Sequence, residues 1–244
     1  MYSEIEVDTA WQTPADQRAD WALARTRLEQ LLGGGEIIDV GCNDGRFLGS
    51  LDGSWQRYGI ELNRAAVERA AACGITILGH NVEVLDSFEG RFDVITAFDV
   101  IEHVENPAKF LAMCARALRS RGIIVVATGN SHSFPWRLLG SRTYYCVYPE
   151  HLVFVSPDWC VRMAPRLGLV LESIETYRRL DGSWYNCVLH AAKNIGYRLS
   201  PSSFALLRRF GFGGIHDPIE IALQHPPTWP TARDHFLAVF EKAH

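Results

Sequence analysis

At 244 residues the chain is long enough to bury one full α/β core with an added feature, and short for two enzyme domains. Hydrophobic residues make up 48% and charged residues 21%, and a net charge of −4 excludes the basic excess of a surface that coats nucleic acid. The cysteines at 42, 73, 114, 146, 160 and 187 form no C-x-x-C pair, which argues against a disulfide framework or a cysteine zinc site and for reduced thiols in the cytoplasm. The first residues, Met1 to Asp8, are acidic and lack the apolar core of a signal peptide, and no stretch approaches the ~20 apolar residues of a membrane span. A soluble protein is expected, and peripheral membrane contact stays open.

Residues 1–16 read as a loose arm carrying Trp11 and Pro14. Trp21, Ala22, Ala24, Leu28, Leu31 and Leu32 recur at helical spacing, so 16–32 reads as a helix stopped by Gly33-Gly34-Gly35. The apolar run Ile37-Ile38-Asp39-Val40 then reads as a buried parallel strand. It breaks at Gly41 into a tight loop that reopens as a helix at Gly45. Glycine is expected where a ligand lies against the backbone, and the N–H groups of the following helix face that ligand. Asn43 stands where a middle glycine often falls, and asparagine tolerates a left-handed conformation.

The pattern predicts a helix over 45–53, a strand over 57–61, and a helix over 64–73 with Asn63 as N-cap. Strands follow over 75–78 and 92–98. Asn106 with Pro107 starts a helix running to Leu118, and Ile123 to Ala127 is a fifth strand. Alternating strands and helices demand right-handed crossovers, a parallel sheet covered on both faces, and ligands at the carboxyl ends of the strands. A long aromatic connection, 129–155, reads as a cap loop. Ser156-Pro157 starts a helix ended by Gly168, and Leu169 to Tyr177 and His235 to Phe240 are the last strands. Between those strands, 181–230 reads as an insertion of two or three short helices, with starts at Ser200-Pro201 and Asp217-Pro218 and a stop at Gly211.

Three features bear on the chemistry. Asp39, two residues before Gly41, is placed to accept hydrogen bonds from a loop N–H or a cationic amino group. Glu61, about twenty residues on, can hold both hydroxyls of a ribose. The third is Asp99-Val100-Ile101-Glu102-His103-Val104, followed by Asn106-Pro107. With this set the chain, over roughly 36–177 and its last strand, resembles the class I S-adenosylmethionine-dependent methyltransferases, in particular the ubiquinone-biosynthesis O-methyltransferase branch. The resemblance implies a Rossmann-like, seven-stranded, mostly parallel sheet with helices on both faces, an antiparallel last strand and a helical insertion before it, all in one domain. It implies that Asp39, Gly41, Cys42, Asn43 and Gly45 cradle S-adenosyl-L-methionine, with S-adenosyl-L-homocysteine as product. Glu61, with Leu62 beside it, would lie on the ribose, Asn81 and Val82 would flank the adenine, and Phe98 would sit near the methionine portion. Relatives often carry Asp where this chain has Asn81, and either can hydrogen-bond the adenine amino group.

Methylating an alcohol or phenol calls for in-line alignment, exclusion of water and removal of a proton. His103, with Glu102, and His151 at the end of the cap loop are the candidate bases, because imidazole titrates near working pH. Glu102-His103 suits equally a role tying loop to helix, and His132 is a third candidate. Asp99, Glu102, His103 and His151 also resemble the carboxylate/imidazole magnesium site of small-RNA 3′-end 2′-O-methyltransferases. The match departs from that site in having Asp first and Val104 in place of a second adjacent histidine, and a divalent metal is not expected. The aromatic residues of the cap and insertion, Trp136, Tyr144, Tyr145, Tyr148, Trp184, Tyr185, Tyr197, Phe204, Phe210 and Phe212, suit an acceptor pocket, a lipid-facing surface or a satellite core. The partner expected is a small or lipid-linked hydroxylated acceptor. A non-catalytic cofactor-binding scaffold and a nicotinamide-dependent oxidoreductase are the alternatives.

Overall fold

The computed structural model describes residues 18–204 and 226–243. The expected arm 1–16, the stop at Gly211, the start at Asp217-Pro218, and Phe210 and Phe212 lie outside these residues. The helix α1 (Ala19–Leu31) precedes β1 (Gly35–Val40), the short α2 (Arg46–Gly49), β2 (Trp55–Ile60), α3 (Arg64–Ala72) and β3 (Thr76–Gly79). A 3-10 turn at Val82–Ser87 leads to β4 (Phe92–Phe98), α4 (Pro107–Ala117) and β5 (Leu118–Gly129). The chain then passes through α5 (Phe134–Leu139), α6 (Pro157–Met163), β6 (Leu169–Tyr177), α7 (Trp184–Leu199) and β7 (His235–Lys242).

The strands form one seven-stranded sheet in the order β3-β2-β1-β4-β5-β7-β6, with β7 antiparallel to both neighbours and the other pairings parallel. Strand pleating sends successive side chains to opposite faces. Ile38, Val40, Ile95, Ala97, Ile124 and Val126 pack with Phe110, Leu111 and Cys114 of α4, while Ile37, Val94, Ile123 and Val125 pack with Trp21, Ala24 and Leu28 of α1. The expected two-sided core is therefore present. Strand order reverses at β1, which pairs with β2 on one side and β4 on the other. A doubly wound sheet opens its ligand crevice at such a switch point.

The caps form as expected: Asn63 accepts from Ala66 N, Asn106 from Lys109 N and Ser156 from Trp159 N. All six cysteines are free. Four expectations are corrected. The helix expected over 45–53 is only α2, because Ser50 Oγ donates to Phe47 O (2.7 Å) and Asp52 captures Ser54 N (2.9 Å), ending the ladder. The cap loop contains a helix, α5, with Pro135 in its first turn. Leu31 and Leu32 belong to no apolar face and are exposed.

The insertion begins with one helix of 16 residues, α7, in place of short pieces; Ser183 caps it, accepting from Asn186 N, and a further helical turn opens at 201. Its polarity is inverted. Asn194 is fully buried, while Trp184 (78%), Val188 (58%), Ile195 and Leu199 (80%), which share one stripe, are exposed. The aromatic residues thus divide: Tyr145 is buried and Trp136 packs on Phe154 (4.7 Å between centroids), whereas Tyr148, Trp184 and Tyr185 face outward. Among the described residues no helix is long and apolar enough to cross a membrane.

Candidate functional site

The residues expected to matter converge on the carboxyl edge of the sheet at the switch point, around a cleft of about 740 Å³. Asp39, Gly41, Cys42, Asn43, Glu61, Leu62, Asn81, Val82, Phe98, His103 and His151 all line it. Gly45 and Glu102 do not line it.

The turn after β1 is tied by the protein's own bonds. Gly41 N and Cys42 N both donate to Ile60 O (2.8 and 3.1 Å), and Gly45 N donates to Cys42 O (2.9 Å). Asn43 takes the expected left-handed conformation, with φ of 49°, and its N–H donates to Glu61 Oε2 at 2.9 Å. Glu61 Oε1 accepts from Asn63 N at 2.7 Å, so this carboxylate closes the turn from the end of β2. The glycines prove necessary for internal reasons. Gly41 and Gly45 have φ of 73° and 77°, and a Cβ on them would lie 2.8 Å from Val100 Cγ2 and 2.9 Å from Ile75 Cγ1.

Asp39 is almost fully buried and accepts from Thr96 Oγ1 at 2.6 Å, not from a loop N–H. Burial pushes its carboxyl up to about 7, against the pull of the Thr96 bond. Thr96 was not singled out, although a threonine inside the apolar run Phe92–Phe98, in register with Asp39, was the available signal. Asn43 Oδ1 is buried with no partner among the described residues. Opposite, Phe98 packs edge-on to Phe47 (4.6 Å) and Trp21 (6.4 Å), forming an aromatic wall. Asn81 precedes the 3-10 turn and makes no capping bond.

Because the folded pKa of Asp39 lies above that of an unfolded aspartate, near 3.9, the folded protein holds this proton more tightly. Its contribution is complete below about pH 4 and lost as pH rises through about 7. We expect urea-unfolding free energies to fall by up to a few kcal/mol across that window and Asp39→Asn to flatten the slope; an unchanged slope in the variant would remove this assignment.

His103, Glu150 and His151 add to the lining of the same cleft. Glu102, 1% exposed, accepts from Thr128 Oγ1 at 2.9 Å and from the Tyr145 hydroxyl, which also accepts from Gly129 N at 3.0 Å. Burial first, and the charge of Asp99 second, raise its carboxyl pKa. The carbonyl of Glu102 takes Leu152 N (2.8 Å) and Val153 N (3.2 Å), so Glu102 does tie loop to sheet edge. His103 Nδ1 lies 2.7 Å from Glu150 O and His151 Nδ1 lies 2.6 Å from Tyr145 O. A carbonyl only accepts, so both Nδ1 atoms carry a proton and Nε2 is the nitrogen left to accept one. The two rings stand 4.8 Å apart, and burial lowers the pKa of His151, keeping it neutral.

Glu102, His103 and His151 each offer one ligand atom within 4.8 Å of the others. Asp99 is not in that group; its carboxylate pairs with Arg18 at 3.1 Å, an arginine the pattern did not flag. His132 pairs with the Asp158 carboxylate at 3.2 Å on the surface and does not line the cleft.

A family model described as a methyltransferase domain matches residues 15–174. The ubiquinone biosynthesis O-methyltransferase of Alkalilimnicola ehrlichii is 30% identical over 171 residues, covering 62% of this chain and 69% of that protein. The protein of the same name from Methylococcus capsulatus is 27% identical over 182 residues, covering 68% and 74%. Among solved structures, YcgJ from Bacillus subtilis superposes with a TM-score of 0.61 at 15% identity, over 92% of this chain and 98% of that one. An S-adenosylmethionine-dependent methyltransferase from Mesorhizobium loti gives 0.57 at 18% identity, over 93% and 99%. At these identities the structural likeness speaks to the fold alone.

Proposed function

Because the chain belongs to the class I S-adenosylmethionine-dependent methyltransferases, we propose that it methylates a hydroxyl oxygen of a small or lipid-linked acceptor. The observation that carries this reading is one cleft lined both by the β1 turn and by two imidazoles whose Nδ1 atoms are committed to backbone carbonyls. S-adenosylmethionine supplies an electrophilic methyl group on a sulfonium. The residues suit that cofactor: Asn43 Oδ1 is a buried acceptor awaiting a donor, and Asp39 is a buried carboxyl beside which a cationic ammonium would be favoured. On this reading Asp39, Gly41, Cys42, Asn43, Gly45 and Phe98 cradle the methionine half, Glu61 and Leu62 meet the ribose, and Asn81 and Val82 flank the adenine. His151, with His103 beside it, takes the acceptor's proton, and Glu102 positions the cap that carries His151.

The names of the relatives support oxygen as the methylated atom. The exposed apolar stripe of α7 supports the lipid-linked form of the acceptor. A screen of hydroxylated acceptors, read as S-adenosylhomocysteine release, tests the proposal. S-adenosylhomocysteine should raise the melting temperature, NAD should not, and at least one acceptor should give turnover. Cofactor binding without turnover on any hydroxylated compound would favour the scaffold.

The Glu102, His103 and His151 group favours a second reading, a bound divalent ion, since a mixed oxygen and nitrogen set suits several such ions. Activity lost to EDTA and restored by one divalent ion would make these residues ligands. Activity indifferent to EDTA leaves them as base and support.

A further inference from the structure

We infer that the acceptor carries a phosphate group, held by Arg178, Arg179 and Arg233 in a second cavity beside the cofactor cleft. This deepens the methyltransferase reading and rests on it for what is attached to the phosphate. The cavity measures about 680 Å³ and lies where the chain leaves β6 and enters β7, under the first turn of α1. Arg18 lines both spaces, its guanidinium reaching Asp99 in the cleft at 3.1 Å, so the two share a wall.

The charge balance of the lining is uneven. Arg18 is neutralised by Asp20 and Asp99, and Glu175 by Arg27 at 2.6 Å. Among the described residues Arg178, Arg179 and Arg233 have no carboxylate within ion-pair distance, and the one other lining carboxylate is Asp181. Three guanidiniums against Asp181 on the lining and Asp234, whose charge acts on Arg179 from behind, leave a local excess of about one positive charge in a chain of net charge −4. Arg178 Nε is moreover buried without a hydrogen-bond partner, an arrangement that costs free energy unless a ligand supplies the acceptor. Arg179 is steadied from behind, its guanidinium 4.7 Å over the ring of Tyr144, whose hydroxyl donates to Asp234 at 3.0 Å.

A carboxylate offers two acceptor oxygens to the three guanidinium forks, whereas a phosphate monoester offers three and carries about −1.5 to −2 at neutral pH, so it can meet all three arginines at once. The phosphate could sit on a lipid or on a soluble molecule, and the chemistry of the cavity is the same for both.

The test is calorimetric titration of the S-adenosylhomocysteine-saturated protein with inorganic phosphate, and with acetate as the single-charge control. Saturable phosphate binding at least tenfold tighter than acetate is expected. Arg178→Gln/Arg233→Gln should weaken it tenfold or more while the Kd for S-adenosylhomocysteine stays within twofold. Arg233→Gln alone, at an exposed position, serves if the double variant does not fold. Capture by phosphatidylcholine vesicles containing phosphatidic acid, but not by phosphatidylcholine alone, would put the phosphate on a lipid. Phosphate binding without capture would put it on a soluble acceptor. No saturable phosphate binding, binding equal to that of acetate, or binding unchanged in the variants would overturn the inference. Because no arm depends on turnover, failure of the methyl-transfer reading would show separately, as absence of S-adenosylhomocysteine release from every hydroxylated acceptor.

Discussion

His151→Ala should lower turnover about 10²–10⁴-fold and leave the Kd for S-adenosylhomocysteine nearly unchanged. The expectation rests on three properties. Its Nδ1 is committed to Tyr145 O, so Nε2 is the proton acceptor. Burial holds the ring neutral. It also lines the same cleft as the β1 turn. Steady-state rates and calorimetric binding on the same preparation decide it: a variant with full activity would leave alignment as the main source of rate, and one that lost cofactor affinity in step with rate would make His151 part of the cradle. Loss of rate in His103→Ala alone would move the base to the neighbouring ring.

Tyr145→Phe should be the most damaging conservative change in the cap. Its hydroxyl donates to Glu102 and accepts from Gly129 N, both buried, and each orphaned group costs about 1–3 kcal/mol, more if charged. Adjacent Gly129 has no room for a side chain because a Cβ there would strike the Tyr145 ring, so the ring is pinned in place. We expect a loss of about 2–5 kcal/mol in urea unfolding, with protease cutting first within 145–153, because loosening Glu102 also loosens its carbonyl's hold on Leu152 and Val153. A change below about 0.5 kcal/mol would show that water replaces the hydroxyl without cost.

Much of the fold was legible because its signals are local. Short apolar runs between glycines became β1 to β5, and Asn63, Asn106 and Ser156 cap the helices they were assigned. The left-handed Asn43 and the convergence of Asp39, Glu61, Asn81 and Phe98 on one edge follow from the strand-end rule once the sheet is parallel. What escaped depends on partners distant in sequence. Nothing near Glu61 says that its carboxylate closes the loop through Asn43 N, and nothing near Asp99 says that Arg18, 81 residues away, claims it and so removes it from the histidine pair. Helices were expected over 181–230, but the start and length of α7 were not legible, because Ser183 lacks the proline that marks the starts at 157 and 201 and because its apolar stripe points outward, where a core-seeking pattern does not look for it.

The backbone of the turn after β1 holds its shape through Ile60 O, Glu61 and three left-handed residues, all of them within the chain. A site so fixed has a competent population near unity, and its affinity is not divided by the fraction of time it spends correctly folded. The same stiffness has a kinetic cost. Spent S-adenosylhomocysteine differs from the donor only at sulfur, so under the proposed reading a rigid mould grips both nearly alike. Product inhibition then becomes a property of the architecture, and accumulated S-adenosylhomocysteine slows the cycle unless it is cleared.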